Sequence, residues 1–223
     1  MMKKLQPLRN FCLTLMMIAG PFSFIYSQSP GKDSELDARV RKFLANHEGT
    51  WHDLNVPAVD GQTLYDIIVK NNYKSALEIG TSTGRSGIWI AWALSKTGGK
   101  LITIDINESR HNTAVKNFRE AGLSDLIDAR LADAHTLVRE LRGPFDFIFS
   151  DADKDWYKQY FLDLDPKLAP GGCFASHNVF SEKYRNGRGQ EEYLEYVRSL
   201  PDYETTVNEK GAGLAISYKK SEK

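Results

Sequence analysis

The sequence predicts an α/β fold: a Rossmann-like, doubly wound, mostly parallel seven-stranded sheet with helices on both faces and a C-terminal antiparallel hairpin. Three observations carry this reading. From Ser75 onward, short apolar runs alternate with helical patterns, which is the mark of successive βα units. The first run (Ala76, Leu77, Ile79) ends in two glycines, Gly80 and Gly84, just before a helical stretch. The last two runs are joined through Glu209-Lys210-Gly211, as in a hairpin.

Taken in order, Asp33 to Ala45 sets Leu36, Val40, Phe43 and Leu44 at helical spacing behind a cap at Asp33 or Ser34. A second helix runs from Asp60 to Asn71, with Leu64, Ile67 and Ile68 on one face. The strands are Ser75–Ile79, Lys100–Asp105, Ile127–Leu131, Phe145–Ser150 and Gly172–Ser176, then Tyr203–Asn208 and Gly213–Tyr218. Helices fall between them at Ser86–Leu94, Glu108–Ala121, His135–Leu141 and Asp155–Leu164, with a last one at Gln190–Leu200. Trp89 and Trp92 read as core, and so does Cys173, a small hydrophobe in an apolar run.

The chain has 223 residues, with 29 basic against 29 acidic side chains. That balance gives no nucleic-acid footprint. Residues 1–27 carry Lys3, Lys4 and Arg9, then a mostly apolar run from Phe11 to Tyr26 and a small residue, Ser27. This is the plan of a secretory signal peptide, so residues 28–223 are expected to form one exported domain with no stable membrane contact. A retained N-terminal anchor is the alternative, although the apolar run is short for a membrane span. Cleavage would leave Cys173 as the one cysteine and exclude an intrachain disulfide.

In doubly wound sheets, ligands bind beyond the carboxyl ends of the strands, where strand order reverses. Polar residues cluster at those ends: Glu78 and Gly80, Asp105, Asp133-Ala134, Asp151 to Lys154, and His177-Asn178. A glycine there lets the backbone approach a ligand. Asp105 closes an apolar strand and suits the ribose hydroxyls of an adenosine-containing ligand, which fits S-adenosylmethionine (SAM) and NAD equally. The turn Glu78-x-Gly80-x-x-x-Gly84 lacks the G-x-G-x-x-G of dinucleotide binders; it is the form usual in SAM methyltransferases. Asp151, Asp153 and Lys154 follow a buried-type strand, F-D-F-I-F-S, so they emerge at the cleft. Trp51, His52 and Asp53 either line an acceptor pocket or pack as an aromatic group, and the loop around Tyr184, Arg185 and Arg188 is either a cover or a plain connector.

Four segments together resemble the cation-dependent O-methyltransferases, the group of catechol and caffeoyl-CoA O-methyltransferases. They are Asp60-Gly61-Gln62, Leu77–Gly84, Ile104–Asn107 and F-D-F-I-F-S-D-A-D-K-D-W-Y at 145–157, with Gly171-Gly172 and Asn178 following at the family spacing. The resemblance implies SAM contacts at Val56, Glu78, Gly80, Thr81, Ser86, Asp105, Ala134 and Asp153. It implies metal ligation at Asp151 and Asn178, a catalytic base at Lys154, substrate contact at Tyr160, and a homodimer as in many members. One departure stands out: the family has aspartate-asparagine where this chain has His177-Asn178. Three consequences are open. The site keeps a divalent cation (Mg, Mn or Zn) on Asp151, His177 and Asn178 with altered preference; or His177 serves as a metal-free catalytic base; or the site is degenerate. The implied activity is methyl transfer from SAM to a hydroxyl of a small, hydroxylated aromatic acceptor. The competing readings are an exported SAM-fold binding protein without turnover and an NAD-dependent oxidoreductase.

Overall fold

Parallel pairing of five strands builds the centre of the computed structural model, which describes residues 32–51 and 54–221. These strands are β1 (Ser75–Ile79), β2 (Lys100–Asp105), β3 (Ile127–Leu131), β4 (Phe145–Ser150) and β5 (Leu168–His177). With β6 (Tyr203–Asn208) and β7 (Leu214–Lys219) they form one sheet of order β3-β2-β1-β4-β5-β7-β6. Strand β7 runs antiparallel to both β5 and β6. The predicted architecture is therefore the observed one. The expected leader at 1–27, and His52 and Asp53, lie outside the described residues.

Seven α-helices accompany the sheet among the described residues: α1 (Lys32–Asn46), α2 (Ala58–Asn71), α3 (Arg85–Thr97), α4 (Glu108–Ala121), α5 (Ala134–Glu140), α6 (Tyr157–Leu164) and α7 (Arg188–Ser199). None is long and apolar enough to cross a membrane. Two apolar clusters result. One gathers Val40 and Phe43 of α1, Leu64 and Ile68 of α2, and Trp89 and Trp92 of α3. The other gathers Tyr157 and Phe161 of α6, Tyr193 and Val197 of α7, and Ile148 and Phe174 of the sheet. Strands buried on both faces explain the near-continuous apolar character of β1 and β4.

Several boundaries differ from the expected ones, for local reasons. Strand β5 begins four residues before Gly172 because Leu168 already pairs with Phe145, across an irregularity between Phe145 and Phe147. The helix expected from Asp155 opens as a 3-10 turn over Lys154–Trp156, and α6 starts at Tyr157. The last connection extends to Gly213, since the chain at Gly211 and Ala212 closes over Asp60 of α2 instead of turning tightly.

The order β2-β1-β4 places the reversal of winding between β1 and β4. Gly80 follows β1 and Asp151 follows β4, and the Asp151 amide donates to the Ile79 carbonyl at 2.8 Å. The crevice opens at this point.

Candidate active site

A cavity of about 700 Å³ lies over the carboxyl ends of the strands, within the range of small-molecule sites. Its wall includes Gly80, Asp105, Ala134, Asp151, Asp153, Lys154, Tyr160, His177 and Asn178, so nine residues singled out from the sequence meet in one place. Val56, Glu78, Thr81 and Ser86 do not line it. All four are buried behind the wall. Thr81 shares a 2.5 Å hydroxyl contact with Thr103, and Thr103 in turn donates to Glu78 Oε2 at 2.6 Å.

The glycine turn is close-packed. Gly80 has φ +98°, and a Cβ there would meet the Asp151 carbonyl oxygen at 2.9 Å. Glycine avoids both the conformational cost and the clash. Asp105 anchors the neighbouring loops: Oδ2 accepts from the Ser82 amide at 2.7 Å and Oδ1 from the Asn107 amide at 2.8 Å. Each carboxylate oxygen keeps a further lone pair. Beyond it, His135 stacks on Trp156 with ring centroids 3.7 Å apart, and His135 Nε2 lies 2.9 Å from Asp153 Oδ2. Asp153 itself has φ +45°.

Beneath the turn, Glu78 is fully buried. Desolvation outweighs its hydrogen bonds from Ser86 and Thr103 and lifts its carboxyl to about 8.

The other end of the cavity holds a chain of charges. Lys154 Nζ lies 2.5 Å from Asp151 Oδ1 and donates to the Tyr157 hydroxyl at 2.8 Å. The Tyr157 hydroxyl donates to the His177 carbonyl at 2.9 Å. His177 Nδ1 is 3.1 Å from Asp151 Oδ2, and Nε2 is 3.0 Å from Asp60 Oδ2. Asp60 Oδ2 also accepts the Ala212 amide at 2.8 Å. Carboxylates accept and do not donate, so both ring nitrogens donate and the ring is an imidazolium. Burial would by itself lower the His177 pKa, but the hydrogen bonds and charges of Asp151 and Asp60 prevail and raise it to about 9. A charged ring with both nitrogens occupied does not suit the role of a proton-accepting base expected of His177. Asn178 sits at φ +56° with its amide nitrogen 3.3 Å from the Ala212 carbonyl oxygen.

Sequence reasoning did not single out Asp60, His135, Asn55 or Leu54 as site residues. Asp60 carried a signal, an acid on the apolar side of an otherwise ordinary helix. His135 had none, because its stacking on Trp156 depends on the turn at Asp153. Trp51 resolves as packing: it meets Phe43 edge-on and lies under the Arg85 guanidinium, away from the cavity. Tyr184 is exposed and Arg185 pairs with Glu209 at 2.9 Å, so this loop borders solvent and does not line the cavity.

Known proteins are similar to this chain in sequence and fold. A family model described as O-methyltransferase matches residues 27–192. Caffeoyl-CoA O-methyltransferase 1 of Eucalyptus globulus is 31% identical over 189 residues, covering 82% of this chain and 74% of that protein. A catechol O-methyltransferase of Niastella koreensis is 40% identical over 113 residues, about half of each chain (49% and 51%). Among solved structures, an O-methyltransferase from Bacillus cereus in complex with SAH superposes with TM-score 0.69 at 25% identity, covering 85% of this chain and 92% of that one. TomG of Streptomyces achromogenes, in complex with SAM, gives 0.67 at 27% identity, covering 82% and 90%. With a family model over most of its length and a relative 31% identical across 82% of it, the chain belongs to the O-methyltransferase family.

Proposed function

We propose that this chain transfers a methyl group from SAM to a hydroxyl of a small catechol-like or other phenolic acceptor. The observation that carries the reading is the division of one cavity into two ends, an Asp105 end and a Lys154 end, spanned by the Gly80 turn. The similarity to proteins named for caffeoyl-CoA and catechol, and to structures bound to SAM or SAH, supports it.

The residues fit SAM. Gly80 leaves open the space that a Cβ would take. Asp105 has lone pairs for two ribose hydroxyls, and Ala134 beside His135 offers a wall for the adenine. Bound SAM supplies a methyl already activated on its sulfonium. The protein's task is to align the acceptor and to make its oxygen anionic. A phenol has a pKa near 10 in water. The Lys154 ammonium, held toward the cavity by Asp151 and Tyr157, stabilises the phenolate there. In the transfer an oxygen–carbon bond forms as the sulfur–carbon bond breaks, and the acceptor's proton leaves to solvent. Tyr160 lines the same cavity, its ring 5.7 Å from that of His135. Alignment of the two reactants contributes further, on the order of several kcal/mol.

The leader extends the proposal: residues 1–27 direct export and are removed after Ser27. The amino-terminal sequence of the native protein tests this, with Gln28 expected first. For the activity, the full chain is incubated with methyl-labelled SAM and catechol. Label in a monomethylated phenol with release of SAH supports the reading; SAM consumption without a methylated product contradicts it.

A further inference from the structure

The charge cluster at the Lys154 end determines what ion it can hold. Asp60 and Asp151 bring two negative charges, and His177 and Lys154 bring two positive ones. Every nitrogen of the His177 ring and both oxygens of Asp151 are engaged within the cluster. A divalent cation on Asp151 would sit against the two cations already paired with that carboxylate, Lys154 and His177, and would add two positive charges to a neutral group. Each His177 ring nitrogen already faces a carboxylate oxygen, Asp151 Oδ2 at 3.1 Å and Asp60 Oδ2 at 3.0 Å, so neither is directed at an ion in the cavity. The residues present therefore do not fit the divalent cation that the family resemblance implied.

We infer that this chain methylates its acceptor without a divalent cation, the imidazolium of His177, clamped between Asp60 and Asp151, being the fixed positive charge of the site; this rests on the methyl transfer proposed above. His177 acts through Asp151, whose other oxygen holds the Lys154 ammonium, so it is a positioning residue. The charge count gives a sharp consequence. Exchanging the imidazolium for a carboxylate takes the cluster from neutral to two negative charges, the complement of one divalent cation. His177→Asp should therefore create a cation site that the natural chain lacks.

The test uses the full chain and Mn²⁺ alone as probe, titrated by calorimetry and followed by electron paramagnetic resonance in the natural protein, Asp151→Asn and His177→Asp. Methyl transfer from SAM to catechol is measured in parallel with chelator and with added Mg²⁺. The natural protein is expected to show no Mn²⁺ binding that Asp151→Asn abolishes, and a rate that differs less than about twofold between chelator and Mg²⁺. His177→Asp is expected to bind Mn²⁺ about tenfold or more tighter than the natural chain. Asp151-dependent Mn²⁺ binding by the natural protein, or a rate lost in chelator and restored by Mg²⁺, overturns the inference. A folded His177→Asp that gains no Mn²⁺ affinity overturns the charge-replacement account. Should that variant not fold, the comparison of the natural chain with Asp151→Asn still decides. Absence of transfer under every condition refutes the proposed activity, while the Mn²⁺ titrations judge the cation claim separately.

Discussion

Nε2 of His177 lies 3.0 Å from Oδ2 of Asp60, although 117 positions separate the two in sequence. The contact ties the carboxyl end of β5 to the first turn of α2, and both side chains are buried. Gly211 makes the approach feasible, since a Cβ there would lie 2.1 Å from Asp60 Oδ1. The site's charge chain thus runs from α2 through His177 and Asp151 to Lys154 at the cavity wall.

Removing one member of this buried pair leaves the other poorly compensated. Asp60→Asn is expected to lower stability by about 3–5 kcal/mol, the range for breaking a buried ion pair from one side. Urea unfolding at neutral pH measures it. A loss below about 1 kcal/mol would show that the pair contributes little.

The same pair sets a pH dependence. The folded His177 pKa is raised from 6.5 to about 9, so the folded state holds its proton more tightly than the unfolded chain. Its stabilisation is complete below about pH 6.5 and declines as pH rises through about 9. Unfolding free energy should fall across that window, and the fall should be shallower in Asp60→Asn.

Glu78 adds a slope of the same sign at a different place. Its folded pKa is raised by burial from 4.5 to about 8, which favours folding in the protonated form and is lost as pH climbs through about 8. Glu78→Gln keeps a hydrogen-bonding group beside Thr103 while removing the titration. It should be more stable than the natural chain at pH 8 by a few kcal/mol, and its stability should vary less between pH 5 and 8.

The two ends of the cavity should separate kinetically. Asp105→Ala is expected to raise the SAM dissociation constant about 10–100-fold, the cost of one or two charge-assisted hydrogen bonds, as read by calorimetry. Lys154→Ala should leave SAM binding within about threefold and lower kcat about 10²–10³-fold, the loss typical of a group that stabilises developing charge.

Much of this site was legible because strands end where the apolar runs end. Asp105, Asp151 and Asn178 each follow a run whose period and flanking helix fix the depth of the side chain, so a parallel sheet brings them together. Glu78 has the same sequence logic and a different outcome. It is the penultimate residue of β1, and alternation along the strand turns it away from the cavity toward Thr103 and Ser86. Asp60 was not legible as a partner of His177, since their contact depends on how α2 packs against the connection between β6 and β7. The loop at Ala212 that completes it carries no pattern of its own. The His135–Trp156 stack was hidden for a similar reason: it needs the left-handed conformation of Asp153, which no local sequence rule required.

Methyl transfer from SAM to a phenolic oxygen is proposed to take place at the Lys154 end of the cavity. Its most direct test is single-turnover mass spectrometry of the full chain with methyl-labelled SAM and catechol, run beside Lys154→Ala. One labelled methyl on a catechol oxygen is expected per SAH formed, with a rate that falls at least about 100-fold in the variant. Bound SAM that yields no O-methylated product in the natural chain, or an unchanged rate in Lys154→Ala, would contradict it.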